Sequence, residues 1–178
     1  MDPTRRGFLK GAFLTAEGRQ ATDLPRGPGL PWPAGSAPDA ARCAACEEAP
    51  CAAACDPAIV RRHEPEHRLQ GLPWLDFTQG GCTLCAECLL ACPEAPPALD
   101  LAALPALGLA RIDADRCIAH QGVICLSCQT ACPTRAIQGD FVSLPRVDPA
   151  RCNGCGACVA PCPGHALTVI MANAPAHD

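Results

Sequence analysis

The chain has 178 residues, enough for one compact domain or two small ones. Its net charge of −4 and its scattered Arg residues exclude the basic stripe of a nucleic-acid-binding protein, and no apolar run reaches the ~18 residues of a transmembrane helix. Leu, Ile, Val and Phe make up only 34 residues, so a conventional core would be thin. The 16 cysteines must therefore contribute to folding, and bound metal is the expected means.

Residues 1–41 contain no cysteine and are rich in Gly and Pro. This composition predicts an extended N-terminal arm rather than a domain. Within the arm, Thr4 to Lys10 resembles a twin-arginine export motif. The apolar piece after it is short and is interrupted by Glu17, so it does not meet the requirements of an export signal. We therefore expect a cytoplasmic protein in which residues 4–14 contact a partner.

From Arg42 onward the sequence repeats a unit that begins at Cys43, Cys82, Cys117 and Cys152. Apolar residues and an acidic turn precede three units, at residues 72–76, 109–113 and 145–148. Short apolar pieces follow three units, at residues 58–60, 136–137 and 166–170. We expect these pieces to be short strands, with one helical turn between the third and fourth cysteine of a unit. Pro105 argues against one unbroken helix over 98–110, which links the two halves.

The second and fourth units carry the cysteine run of bacterial ferredoxins. The two runs are Cys82-x2-Cys85-x2-Cys88-x3-Cys92-Pro93 and Cys152-x2-Cys155-x2-Cys158-x3-Cys162-Pro163. In such a run three thiolates wrap one cubane cluster, and the fourth ligates the neighbouring cluster in two-cluster proteins. Gly154 and Gly156 allow unusual dihedral angles, which lets backbone N–H groups approach the cluster sulfurs.

Disulfides and zinc are the alternative uses of so many cysteines. Disulfides are disfavoured because the cysteines form four closely spaced groups of four and no secretory signal is visible. Structural zinc takes pairs of ligands separated by a longer stretch, and three cysteines at two-residue gaps do not suit one tetrahedral ion. The spacing therefore favours [4Fe–4S] clusters.

Two units depart from the ferredoxin spacing. The third is Cys117-x7-Cys125-x2-Cys128-x3-Cys132, which we interpret as the same ligand set with residues 118–124 inserted. The first is Cys43-x2-Cys46-x4-Cys51-x3-Cys55, a run similar to those in electron-transfer subunits of molybdenum oxidoreductases. Keeping both as cluster motifs predicts four [4Fe–4S] clusters, or three if the first or third motif is degenerate.

No other chemistry stands out in the sequence. It contains no phosphate-binding loop, no H-E-x-x-H and no nucleophile–base signature, so we do not expect an enzyme. The histidines are expected at the surface, namely His63, His67, His120, His165 and His177, and a ligand role for His120 is the weaker alternative. Trp32 and Trp74 are expected to pack, with contact to a partner as the alternative for Trp32.

We predict an α+β protein of two ferredoxin-like two-cluster modules, residues 42–100 and 101–178, preceded by the arm. Adjacent motifs are paired because they are close in sequence and joined by strand-like pieces. The four predicted ligand sets are Cys43, Cys46, Cys51 and Cys92; Cys55, Cys82, Cys85 and Cys88; Cys117, Cys125, Cys128 and Cys162; and Cys132, Cys152, Cys155 and Cys158. A nested pairing, motif one with four and two with three, is the alternative, and it would place Cys92 nearest Cys117.

The chain resembles the NapF family, ferredoxin-type accessory proteins of the periplasmic nitrate reductase system. The resemblance rests on Arg5 to Gly7, Pro31 and Trp32, Cys82 to Glu94, Ala114 to Cys132 with its seven-residue gap, and Cys152 to Cys158. The first motif departs from the family's x2, x2, x3 spacing. By this resemblance the protein would be cytoplasmic, would bind the molybdenum-containing catalytic subunit of the nitrate reductase before its export, and would assist its maturation. A general ferredoxin-like electron carrier to a redox enzyme is the alternative.

Overall fold

The computed structural model describes residues 27–140 and 143–171, and within them the elements are short. The helices have four or five residues and are α1 (Ala40–Ala44), α2 (Pro50–Ala53), α3 (Glu87–Leu90) and α4 (Ser127–Ala131), with a 3-10 turn at Leu101–Ala103. The strands are β1 (Val60–Arg62), β2 (Pro73–Leu75), β3 (Leu109–Ile112), β4 (Ile137–Gln138), β5 (Arg146–Val147) and β6 (Leu167–Ile170). This mixture of small helices and strands agrees with the predicted α+β class. No helix in the described ranges is long and apolar enough to cross a membrane.

The strands form three antiparallel pairs, and each pair encloses or joins cysteine motifs. Strand β1, after the first motif, pairs with β2, before the second, so that Val60 lies opposite Leu75. Strand β4, after the third motif, pairs in the same way with β5, before the fourth. Strand β3 pairs with β6 and brackets the third and fourth motifs, with Ala110 opposite Val169. Each piece that the sequence predicted as a strand therefore overlaps a strand, although the pieces at 58–60 and 136–137 do so only at Val60 and Ile137.

An aspartate directly follows each of the strands β2, β3 and β5, which precede the second, third and fourth cysteine motifs. At each aspartate the chain turns into the loop that carries the cysteines. The carboxylates of Asp76, Asp113 and Asp148 accept a hydrogen bond from the backbone N–H two residues later, at 3.0, 3.0 and 2.9 Å. The backbone N–H groups of these aspartates, in the same order, donate to the carbonyl oxygens of Ile59, Ala166 and Ala136, at 2.7, 2.8 and 2.7 Å. Each acceptor lies four residues after the last cysteine of another motif. The acidic turn seen in the sequence is thus a repeated Asx turn that starts each loop.

Two clusters of buried side chains make up the core. The first surrounds β1, β2 and α3, where Ile59, Leu75 and Leu89 are at most 2% exposed. The second lies around β3, β4 and β6 and includes Ile137 and Leu167. Cysteine side chains belong to both clusters, namely Cys88 in the first and Cys128, Cys158 and Cys162 in the second. Several candidate ligands are therefore part of the hydrophobic core.

The described end of the predicted arm packs against the first core cluster. The Pro28 carbonyl accepts a hydrogen bond from Leu75 N–H at 2.8 Å, and Pro31 is fully buried. Leu30 and Trp32 contact the same cluster, which confirms Trp32 as a packing residue. The packed part of the chain thus begins before Arg42. The export-like motif and the proposed contact at residues 4–14 lie outside the described residues.

Two histidines that the sequence predicted at the surface are buried. His63 and His67 are 5% and 7% exposed, and their rings stack with centroids 4.2 Å apart. The backbone N–H of His63 donates to the Leu72 carbonyl at 3.1 Å, and this bond folds the β1–β2 loop back on itself. The imidazole ring of His63 stacks on Trp74. The surface prediction was wrong because this burial comes from the loop's return and not from any local pattern. His120 and His165 are exposed as predicted, and His177 lies outside the described residues.

Candidate metal centres

The first set of thiols lines a cavity of about 220 Å³. Its members are Cys43, Cys46, Cys51 and Cys92. Cys92 comes from the second motif because α2 packs against α3, and an ion pair between Arg42 and Glu94 joins the two neighbouring segments. Cys92 therefore lies with Cys43, the arrangement expected from adjacent pairing of the motifs.

The widened gap of the first motif loops outward. Glu47 and Glu48 are exposed, and Ala49 has a left-handed backbone with φ 44°, which reverses the chain before Pro50 opens α2. Proline is well suited to the first turn of a helix because its missing N–H would have no partner there. The extra residues leave Cys46 and Cys51 on the same cavity, so the departure in spacing is absorbed locally.

The second set lines a smaller cavity, of about 20 Å³, and its members are Cys55, Cys82, Cys85 and Cys88. Cys55 belongs to the first motif, and the chain turns directly after it. Ala58 N–H donates to the Cys55 carbonyl at 2.8 Å, and Ala58 has φ 51°. Cys88 is buried, whereas Cys85 is exposed. One face of this set is therefore open to solvent.

The turn after the fourth cysteine recurs in the third and fourth motifs. Arg135 and His165 have φ 53° and 47°, and their N–H groups donate to the carbonyls of Cys132 and Cys162 at 3.2 and 3.1 Å. A strand follows the turn in each case, as β1 follows Ala58. The first motif therefore folds like the others at this point although no proline directly follows its fourth cysteine.

The third set lines another small cavity, of about 20 Å³, and its members are Cys117, Cys125, Cys128 and Cys162. The inserted loop turns away from this cavity at its end, since Val123 and Ile124 are 53% and 71% exposed. The chain then returns Cys125 to the same side as Cys117. His120, which lies in the insertion, is exposed and does not line the cavity.

The fourth set is brought together by the loop of the fourth motif. Its members are Cys132, Cys152, Cys155 and Cys158. The charges of Cys132 and Cys152 act on Cys155, and the charges of Cys132 and Cys155 act on Cys158. Gly154 and Gly156 have φ 70° and 74°, a left-handed conformation, and unusual dihedral angles were expected at both. These turns shape the loop that carries Cys152, Cys155 and Cys158.

Backbone N–H groups point at four of the sulfurs. Cys82 and Cys152 accept from Leu84 and Ala110 at 3.4 Å each, and Cys132 and Cys162 accept from the residues four positions later at 3.3 Å each. Such donors stabilise negative charge on a ligand sulfur and tune the potential of an iron–sulfur cluster.

Among the described residues no three His, Cys, Asp or Glu side chains are arranged to hold a single metal ion.

Burial and mutual repulsion raise the pKa of seven thiols, which are therefore reluctant to ionise without metal, namely Cys43, Cys51, Cys82, Cys88, Cys128, Cys155 and Cys158. Burial first, and then the charges of neighbouring cysteines, raise the pKa of Cys88 and of Cys158 to about 12. Cys132 is the exception: burial raises its pKa, but hydrogen bonds from the Thr134 hydroxyl and from the backbone N–H of Ala136 outweigh burial and lower it. Thiolates crowded in this way need nearby cations to be stable.

Arg62 belongs to the first centre although the sequence analysis did not single it out. Its side chain lines the first cavity and is fixed by hydrogen bonds to the carbonyl oxygens of Gly71 and Ala44. Burial and neighbouring thiols raise the pKa of Cys43, and the charge of Arg62 acts in the opposite direction. No local pattern distinguishes Arg62 from Arg61, which lies at the surface.

Comparisons with known proteins also point to iron–sulfur clusters. Residues 109–163, from the first residue of β3 to just beyond the fourth motif, match the 4Fe-4S dicluster domain. The ferredoxin-type protein NapF of Escherichia coli K12 is 31% identical over 172 residues, covering 94% of both chains. The chain belongs to the NapF family. The NapF proteins of E. coli O6:H1 and O157:H7 match with the same identity and coverage, and no solved structure matches the chain. As a NapF-family chain it is a ferredoxin-type iron–sulfur protein.

Proposed function

We propose that each cysteine set holds one [4Fe–4S] cluster and that the chain forms two two-cluster modules of adjacent motifs. The observation that carries this proposal is the exchange of the fourth cysteine. Cys92 lies with the first set and Cys55 with the second, while Cys162 lies with the third and Cys132 with the fourth. Two-cluster ferredoxins ligate neighbouring clusters by this exchange. The donors also fit the cofactor, since each set offers four soft sulfurs.

The sets differ in the room that they offer. The first cavity has about 220 Å³, whereas the second and third have about 20 Å³ each. A volume of 20 Å³ is roughly what one water molecule needs. We therefore expect the first site to be the easiest to fill.

When bound, such clusters exchange single electrons. The chain's own residues hold the sulfurs in place, donate N–H groups to them and exclude water on the inner side, where Cys88, Cys128, Cys155, Cys158 and Cys162 are buried. Ferredoxin-type iron–sulfur proteins are generally electron carriers rather than enzymes. We therefore propose electron transfer, and not catalysis, as the biochemical activity.

We further propose that the partner is the molybdenum-containing catalytic subunit of periplasmic nitrate reductase. In this proposal the chain binds the subunit's precursor in the cytoplasm and supports its maturation before export. Membership of the NapF family supports the proposal, since the similarity covers 94% of the chain and is not confined to the cysteine motifs of the dicluster domain.

Metal content tests the cofactor. Anaerobically purified protein should contain ~16 Fe per chain and a matching amount of acid-labile sulfide, since each cubane has four irons. Stoichiometric zinc without sulfide would refute electron transfer and would leave a zinc-stapled scaffold.

Copurification tests the partner. The tagged chain should retain the cytoplasmic precursor of the catalytic subunit, and a variant lacking residues 4–14 should retain less of it while keeping its iron. Deletion of the gene should lower the activity of the exported subunit. A fully active exported subunit in the deletion strain would contradict a role in maturation.

The exposed thiol of Cys85 favours a general electron carrier as the second candidate, because it leaves the second set within reach of a diffusing partner. A general carrier should reduce unrelated one-electron acceptor proteins as fast as it reduces the nitrate reductase precursor. A maturation factor should discriminate between them.

A further inference from the structure

We infer that the second and fourth cysteine sets form the electron path between the two modules, so that the four sites are connected in the order first, second, fourth, third. This order differs from the order of the motifs along the chain. The inference rests on the proposed function, because it concerns the residues that would carry electrons between bound clusters.

Direct contact between the two ligand loops carries the inference. Cys82 N–H donates to the Cys155 carbonyl at 2.7 Å, and the thiolate charge of Cys155 acts on Cys82. Gly81 lies so close to Ala157 that a Cβ at residue 81 would be 2.6 Å from the Ala157 N and Cα atoms. A ligand of the second set and a ligand of the fourth are thus joined by one backbone hydrogen bond.

Apolar packing closes the space around this contact. The ring of Phe77 lies directly against Gly156, where any Cβ would overlap it. Leu107, which is 6% exposed, belongs to the first core cluster, and Val159 and Val169 pack against that cluster from the second half of the chain. The second and fourth sets therefore face each other across an apolar interface.

The other two links follow from the exchanged cysteines. Within the first half, Cys92 of the second motif lines the first cavity and Cys55 of the first motif lines the second. Within the second half, Cys162 of the fourth motif lines the third cavity beside Cys128. The first and third sets are therefore the ends of the series, and the second and fourth are its middle.

The transfer balances as a sequence of one-electron steps. A one-electron donor protein is oxidised by one electron at one terminal site, and a one-electron acceptor protein is reduced by one electron at the other. At the module interface the second site loses the electron that the fourth gains, or the reverse. No covalent bond forms or breaks.

Electron paramagnetic resonance of the dithionite-reduced full chain tests the order. Cys46→Ser combined with Cys117→Ser removes one ligand each from the first and third sets, and the remaining second and fourth sites should show spectra broadened by magnetic interaction. Cys85→Ser combined with Cys152→Ser leaves the first and third sites, whose spectra should not interact. Broadening in the second variant and its absence in the first would overturn the order.

Neighbouring glycines provide a matched pair for the interface itself. In the first double variant, Gly81→Ala should weaken the broadening because its methyl group forces the loops apart. Gly80→Ala should leave it unchanged, since a Cβ there meets only Ile59 Cγ2 at an ordinary 3.8 Å. Full broadening in Gly81→Ala with normal iron content would contradict the inference, and if this variant fails to fold, the comparison of the two double variants still decides. A wild-type chain that contains no iron or sulfide would instead refute the proposed function.

Discussion

Arg62 and Ala44 are joined by a hydrogen bond from the guanidinium Nη2 to the carbonyl oxygen, at 3.0 Å. Because Ala44 follows Cys43, this bond ties β1 to the first ligand loop, and a second bond from Nε to the Gly71 carbonyl, at 2.8 Å, fixes the side chain. A positive charge is thereby held beside the first cavity. A reduced cluster carries one more negative charge than an oxidised one, so Arg62 should favour reduction of the first site.

Replacing Arg62 should therefore lower the midpoint potential of one cluster. Arg62→Gln is expected to shift it down by roughly 30–60 mV, given that 59 mV is a tenfold change for one electron. Arg61→Gln is the matched control and should have little effect, since Arg61 is at the surface and lies 3.8 Å from Asp76. A redox titration followed by electron paramagnetic resonance measures both. A full shift in Arg61→Gln would show that only general surface charge matters.

Arg62→Lys separates charge from hydrogen bonding. The ammonium keeps the positive charge but cannot make both bonds of the guanidinium fork. We expect the midpoint potential to stay near that of the wild type, while the melting temperature of the loaded protein falls. A potential as low as that of Arg62→Gln would mean that the geometry of the loop, and not the charge, sets it.

The fourth cysteines should affect their neighbours' clusters and not those of their own motifs. Cys92→Ser is expected to damage the first site, where Cys92 lines the cavity, and Cys55→Ser the second. Each variant should lose up to one cluster, about four Fe. Iron analysis gives the loss, and redox titration in the Arg62→Gln background identifies the first site by its shifted potential. Loss of the second site in Cys92→Ser would contradict the exchange.

Two adjacent leucines of α3 test the core. Leu89 is 0% exposed, and Leu89→Ala should lower the free energy of unfolding by about 2–5 kcal/mol, the usual cost of a buried leucine. Leu90 is 53% exposed, so Leu90→Ala should cost much less. Anaerobic thermal denaturation of the loaded protein compares them. Equal losses would show that the packing around α3 differs from the one described.

Metal removal should unfold the chain. Cysteines form part of both core clusters, and in a metal-stapled domain the free energy of ligation is folding free energy. Oxidation with ferricyanide in the presence of a chelator should abolish the far-UV circular dichroism of the short helices and strands together with the visible absorption. Secondary structure that survives complete loss of iron would show that the apolar core suffices.

Local sequence determined the repeated unit of this protein. The unit is defined by the cysteine spacing, by an acidic residue before each of three ligand loops and by an apolar piece after them. These features involve only a few consecutive residues, so they could be recognised directly in the sequence. They correspond to the Asx turns at Asp76, Asp113 and Asp148 and to the strands beside them. The glycines of the fourth motif could be assigned in the same way, because a left-handed backbone is a local property.

Only the tertiary structure decided how the units meet. The burial of His63 and His67, the fixing of Arg62 and the contact of Gly81 with Ala157 join residues that no period or spacing relates. The motif spacing permitted both adjacent and nested pairing, and it is the packing of α2 on α3 that brings Cys92 to Cys43. Contacts of this kind depend on the shape and volume of side chains from distant parts of the chain, which a single sequence does not specify.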